Sequence, residues 1–217
     1  MSASTTTPHP TPPGLAASVG ALAAAALGGL AIGALTSFSQ GWLPFHLNSL
    51  SNSSGSWSVA AFLLALLPRR RWAAVAAAAA ALACMMLGYD LASVLRGYHA
   101  SAGTTAFWLT AAVLVGPFLG LTAHSLRFRT GFAPWGTGML SGVLIGEGVY
   151  GHLVVAETTS VAYWSASVAA GLAFLVWACA RRFPARRPVL TSVAVTAVVG
   201  GAFVAVYGMN PIQWFWF

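Results

Sequence analysis

The sequence predicts an all-α, polytopic membrane protein with seven transmembrane helices, N-terminus in and C-terminus out. Three observations carry that expectation. Of 217 residues, 58% are hydrophobic and only 6% charged, against roughly 25% charged in a soluble domain. Apolar runs of about 20 residues, the length that crosses a bilayer core, recur along the chain. Ten basic residues, all arginine, give a net charge of +7 and fall between alternate apolar runs, as the positive-inside rule requires. That placement explains the basic balance without nucleic acid, which is not an expected partner. The expected partner is the lipid bilayer, and the expected location is the cell membrane, with the chain crossing it several times.

Residues 1–14, MSASTTTPHPTPPG, are rich in Ser, Thr and Pro and read as a disordered cytoplasmic tail. The seven-helix domain should occupy residues 15–210. Its first span, 15–38, lacks a basic leader and is too long for a signal-peptide core. The next segment, 39–56, is polar and holds Gly41, Pro44 and Gly55, so it cannot continue as a lipid-facing helix. The apolar run 57–67 is too short to span alone, which draws 47–56 into helix 2 or into a re-entrant loop. Asn48 and Asn52 then sit either in a wet outer loop or in the lining of a site. Arg69, Arg70 and Arg71 mark the inner side after Pro68. Helix 3 covers 72–95, and helix 4 covers 104–126 with Pro117 expected to kink it. Arg127 and Arg129 precede helix 5 at 132–156. Helix 6, about 161–180, ends at RRFPARR (181–187), and helix 7 covers 188–207. Residues 211–217 form an outer tail whose aromatic end suits the membrane interface. Nine of the ten arginines thus fall inside and only Arg96 outside.

Helix 5 carries the most informative residue, Glu147. A charge in hydrocarbon costs at least ~2.5–3.5 kcal/mol, so an acid there is a functional-site hypothesis. Gly138, Gly142 and Gly146 form a stripe that admits another backbone, and Glu147 lies about 100° round from it. Glu147 is about 21 Å along the helix from Ala133 at ~1.5 Å per residue, in the outer part of the bilayer. Asp90 maps to a similar level, about 27 Å from Trp72. No basic residue shares the depth of Glu147, so it is expected to remain a neutral carboxylic acid able to donate a proton. The plainer alternative is a hydrogen bond that locks two helices. Asp90 is either a solvated helix-end residue or the second acid of a pair. Trp42, Trp57, Tyr150, Tyr163 and Trp164 lie on the same side and serve either as interfacial anchors or as walls that stabilise a cation by roughly 0.5–2 kcal/mol per ring.

His46, His99 and His152 come from separate segments without ligand spacing, so no metal is expected. There is no nucleotide fingerprint and no nucleophile motif; no cofactor is implied. Cys84 and Cys179 fall at different depths and read as packing residues.

The phrases SFSQGWLP (37–44), LNSLSNSSGSW (47–57), GEGVYG (146–151) and TTSVAYW (158–164) resemble a family of small actinobacterial membrane proteins, over most of 15–210. The chain is also similar to the membrane-bound terpene cyclases of bacterial indole-terpenoid pathways, of the drimentine type. Those cyclases resemble in architecture the seven-helix cyclases of fungal meroterpenoid pathways. The resemblance implies cofactor-free, proton-initiated cyclisation of a farnesyl-type prenyl chain, or its epoxide, on an apolar or indole-bearing small molecule. No catalytic motif of the fungal group is matched, so the resemblance supports Glu147 and Asp90 by residue type and setting alone. On that reading Glu147 is the proton donor, Asp90 the second acid or final base, and Trp42, Asn48, Asn52, Trp57, Tyr150, Tyr163 and Trp164 the substrate-binding lining. The alternative class is a small-molecule transporter, or a transporter's substrate-binding subunit, with a protonatable Glu in the membrane. Neither reading names a protein partner.

Overall fold

A computed structural model describes residues 14–209; the tails expected at 1–14 and 211–217, Gly14 apart, lie outside the described residues. The chain forms α1 (Leu15–Trp42), α2 (Phe45–Asn48), a 3₁₀ turn (Ser49–Asn52), α3 (Ser54–Leu64), α4 (Arg71–Leu95), α5 (Ala102–Phe128), α6 (Ala133–Val154), α7 (Val161–Arg182) and α8 (Arg186–Gly208). Helix accounts for 85% of the described residues and none is in a strand, which makes the protein all-α. Five helices, α1, α4, α5, α7 and α8, are long and apolar enough to cross a membrane. Of the other helices, α3 and α6 bear on the bundle's interior. The 11 residues of α3 extend about 16 Å at ~1.5 Å per residue. Glycine and polar residues dilute the hydropathy of α6, yet it buries 12 of its 22 residues. Helix α6 is therefore the inner helix of the bundle, where neighbours replace lipid.

Close backbone approach organises the packing. A Cβ at Gly29 or Gly33 of α1 would run into the carbonyls of Ala81 and Met85 on α4, and one at Gly88 into Leu30. The numbers on both helices rise together, so α1 and α4 are parallel. The stripe Gly138, Gly142 and Gly146 rests in the same way on Ser192 to Phe203 of α8, also parallel. Between them run antiparallel partners. Gly116 and Gly120 of α5 abut Ala79 and Ala74 of α4, and Gly171 of α7 abuts Leu144 and Ser141 of α6. Two triads result, α1–α3–α4 and α6–α7–α8, each with its first and third helices locked by glycines, and α5 joins them. Small residues permit this because association in lipid depends on van der Waals contact rather than on the hydrophobic effect.

Helix α3 touches α1, α4, α5 and α6 and so fills the middle of the bundle. Its Phe62 packs with Met85, Leu119, Leu126, Leu140 and Phe183 in an apolar core that occupies the arginine-bearing half. The opposite half is held by polar contacts. Arg96 donates from Nη1 to the Ser37 carbonyl and, at 3.0 Å, to Ser37 Oγ, tying α1 to α4. Helix α5 remains one helix through Pro117.

Candidate functional site

The polar stretch 45–56 folds into two short helical turns because Pro44 begins one and Ser53 caps the next: Ser53 Oγ accepts from Ser56 N at 2.9 Å. The first N–H groups of α3 have no partner within the helix, and here they are buried, with Ser53 at 2% exposure. Glu147, 4% exposed, supplies the missing acceptor. Its Oε1 accepts from Gly55 N at 3.1 Å and its Oε2 accepts from Ser53 Oγ at 2.7 Å. Position 55 has to be glycine for this contact, since a Cβ would stand 2.5 Å from Glu147 Oε2 and 3.0 Å from Leu144 Cδ2. The carboxyl thus sits on the positive end of a short helix.

Glu147 also lines a cavity of about 380 Å³, within the ~300–1,000 Å³ range of small-molecule sites. Ser51, Asn52, Ser53, Ser54 and Thr104 contribute polar atoms. The remaining wall is largely aromatic and comes from both triads. On one side Trp57 meets Trp108 at 6.2 Å and Tyr89 at 6.3 Å between ring centroids. On the other, Tyr207 stacks on Phe203 at 4.1 Å and meets Tyr150 edge-on at 5.7 Å. Tyr207 Oη and Ser54 Oγ are 2.6 Å apart, which ties α8 to the start of α3. Gln40 Nε2 bridges the rim, donating to Asn52 Oδ1 at 2.8 Å and to Tyr89 Oη at 3.2 Å.

The comparisons with known proteins agree with this extent of structure. A family of unknown function (DUF6518) matches residues 12–212. The chain belongs to that family. Among curated proteins and solved structures, none matches. For this DUF6518 member the chemistry must therefore be read from the site itself.

The structure brings Glu147, Asn52, Trp57, Tyr150 and Trp164 together around the cavity. Asp90 is not among the lining residues. It is half-buried on α4 and its Oδ2 accepts from Thr105 Oγ1 at 2.7 Å. Its neighbour Tyr89 faces the cavity, and one residue of helix, about 100°, turns the carboxyl towards α5. Trp42 does not line the cavity either; it is 73% exposed and stacks on Phe38 at 5.5 Å. Asn48 Nδ2 is spent on the Gln40 carbonyl at 2.9 Å. Tyr163 is not among the lining residues; it is buried against Trp164, with ring centroids 4.9 Å apart, and its hydroxyl lies by Ser53 and Ser56.

Sequence reasoning singled out neither Phe203 nor Tyr207, and gave Ser53 and Ser54 no role beyond that of the serines of 47–56, which must face protein or a water-filled cavity. The N-cap pattern Ser53-x-x-Ser56 was one available signal. Phe203 and Tyr207 are four apart on α8, one face of a helix. Among the described residues no group of three or more His, Cys, Asp or Glu is assembled as for a metal. His46 Nδ1 lies 3.3 Å from Ser160 Oγ and His152 Nε2 3.2 Å from Ser165 Oγ, each in its own setting.

Proposed function

We propose that this DUF6518 member is a plasma-membrane protein of seven passes, N-terminus in and C-terminus out, with the 45–64 segment forming the second pass, and that its chamber is a terpene cyclase site. The substrate is an apolar small molecule bearing a farnesyl-type prenyl chain, which reaches the chamber from the lipid bilayer. No cofactor takes part. Glu147 transfers its proton to a terminal alkene, or opens the corresponding epoxide, and the resulting cation is closed on by the next double bond. Glu147 gives up one proton and its carboxylate takes one back from the last cation, which restores the acid and makes substrate and product isomers.

The observation that carries this reading is the position of Glu147. The carboxyl is buried, opens on a ring-lined space, and is backed by donors. Gly55 N–H donates to Oε1 and the Ser53 hydroxyl to Oε2; because that hydroxyl can rotate and accept instead, Oε2 is the oxygen that carries the proton in the acid form. The Gly55 and Ser53 donors and the α3 N-terminus are placed to receive the negative charge left when it departs. The rings of Trp57, Trp108, Tyr150, Phe203 and Tyr207 suit a cation by their quadrupoles. The apolar core packed between the chamber and the arginine end supports a closed floor.

A second reading, transport, draws on the paired parallel triads, because internal repeats of this kind underlie alternating access. One experiment separates the two. Purified protein is incubated with prenylated indoles and farnesyl-type substrates, and products are identified by mass spectrometry and NMR. Cyclised isomer that disappears in Glu147→Gln supports the enzyme. Uptake into proteoliposomes of unchanged substrate, with no isomer, supports the transporter and ends the cyclase reading.

A further inference from the structure

We propose that the arginine-bearing end of the bundle holds a second site, a pocket for the phosphate group of an anionic membrane lipid. It lies between the α5–α6 and α7–α8 turns, shares no lining residue with the chamber, and stands whether or not the chamber is catalytic. The cavity there is about 210 Å³, and Arg129, Arg182 and Thr130 line it together with Leu126, Phe183 and Pro188.

Charge balance is the first argument. The chain has three acids. Glu147 is engaged at the chamber, Asp90 at the Thr105 end of α5, and Glu157 in the turn after α6. All three lie away from the turns that carry the other nine arginines, so no Asp or Glu side chain is present to neutralise the two guanidiniums of this pocket. Any fixed counter-charge at this pocket therefore comes from outside the chain. A phosphate fits, because guanidinium forks pair with its oxygens in a bidentate manner.

Local structure is the second argument. Arg129 caps α5 in the left-handed region, with φ 56 and ψ 43, the single non-glycine positive φ among the described residues. Glycine is the usual occupant of such a position, so a guanidinium is kept there against backbone preference. Arg182 is steadied over the Trp177 ring at 5.3 Å. A lipid rather than free phosphate is indicated by the apolar walls, and by Trp135 and Trp177. Trp135 follows Pro134 of the pocket, Trp177 lies under Arg182, and both are exposed, as residues at headgroup level are.

The test is native mass spectrometry of the full chain, released from micelles containing phosphatidylglycerol or phosphatidylcholine. Phosphatidylglycerol should be retained several-fold more than phosphatidylcholine. That preference should fall to near unity in Arg129→Gly and in Arg182→Gln, and should persist in Arg186→Gln/Arg187→Gln, which removes two arginines of the same end that do not line the pocket. Glycine relieves the left-handed strain at 129, so this variant should melt no lower than wild type, and its loss of lipid would not reflect unfolding. Equal loss in Arg186→Gln/Arg187→Gln would reduce the effect to diffuse attraction and overturn the proposal. Binding of inorganic phosphate that displaces the lipid at millimolar concentration would overturn the lipid assignment.

Discussion

Replacing Glu147 in two ways separates its role as a hydrogen-bond acceptor from its role as an acid. Glu147→Ala leaves the Gly55 N–H and the Ser53 hydroxyl without their partner. An unmet buried donor costs about 1–3 kcal/mol. The Gly55 N–H belongs to a helix and cannot turn away, whereas the Ser53 hydroxyl can rotate and counts at the low end. The expected loss in unfolding free energy is therefore about 2–4 kcal/mol. Glu147→Gln keeps nearly all of it. The amide oxygen accepts from Gly55, and the amide nitrogen donates to Ser53 Oγ, which has a second lone pair beside the one used by Ser56 N–H. Its loss should stay below about 1 kcal/mol. Turnover should fall in both variants by at least ~100-fold, since general acid catalysis contributes ~10²–10⁴-fold. Unfolding in mixed micelles gives the first quantity and quantified cyclic product the second. A Gln variant that still turns over would remove the carboxyl from the proton step. An Ala variant as stable as the Gln variant would show that the α3 cap contributes nothing.

Other substitutions test the surroundings. Gly55→Ala gains up to ~1 kcal/mol of helix propensity but drives a Cβ against Glu147 Oε2, so both melting temperature and turnover should drop. Gly142→Ile should cost ~1–3 kcal/mol by overpacking, because its Cβ would meet Val199 Cβ at 2.7 Å; Gly201→Ile, with open space around it, should leave unfolding unchanged. Asp90→Asn keeps an acceptor for Thr105 Oγ1 and lies outside the chamber lining. Its turnover should stay within about twofold of wild type, a change of less than ~0.5 kcal/mol in barrier.

Element positions were legible because the physics that sets them is one-dimensional. Hydropathy placed the helices to within a few residues; the first runs to Trp42 rather than to 38, and its last turn carries Gln40 to the chamber rim. The stripe at Gly138, Gly142 and Gly146 announced a close neighbour but not which one, since a small-residue face fits any helix; the partner is α8. Sequence gave depth, at a fixed rise per residue, and so put Asp90 and Glu147 at one level. It did not give the direction each faces, which depends on the helix that happens to lie there. The same gap explains Trp42, an apt wall by position and exposed in fact. Tyr207 is the reverse case: the last residue of the expected seventh span, given no role by its position, reaches Ser54.

The short α3 and the buried acid each look unfavourable alone. A helix that begins at a bilayer surface has its free N–H groups met by water, whereas α3 begins where Ser53 and Gly55 are buried. Unmet groups in such a place are expensive. An acid in the same region is equally so. Together each satisfies the other, and this explains why the second apolar run is only half as long as a span. Hydrogen bonding alone, however, does not select glutamate over glutamine, which would accept from Gly55 N–H and donate to Ser53 Oγ without a charge to desolvate. The difference between the two side chains is a proton that can leave, and leaving requires both a recipient and support for the anion. The aromatic chamber has room for the first, and the α3 N-terminus provides the second. Packing and hydrogen bonding alone thus do not account for an acid at 147, whereas the proposed proton transfer would.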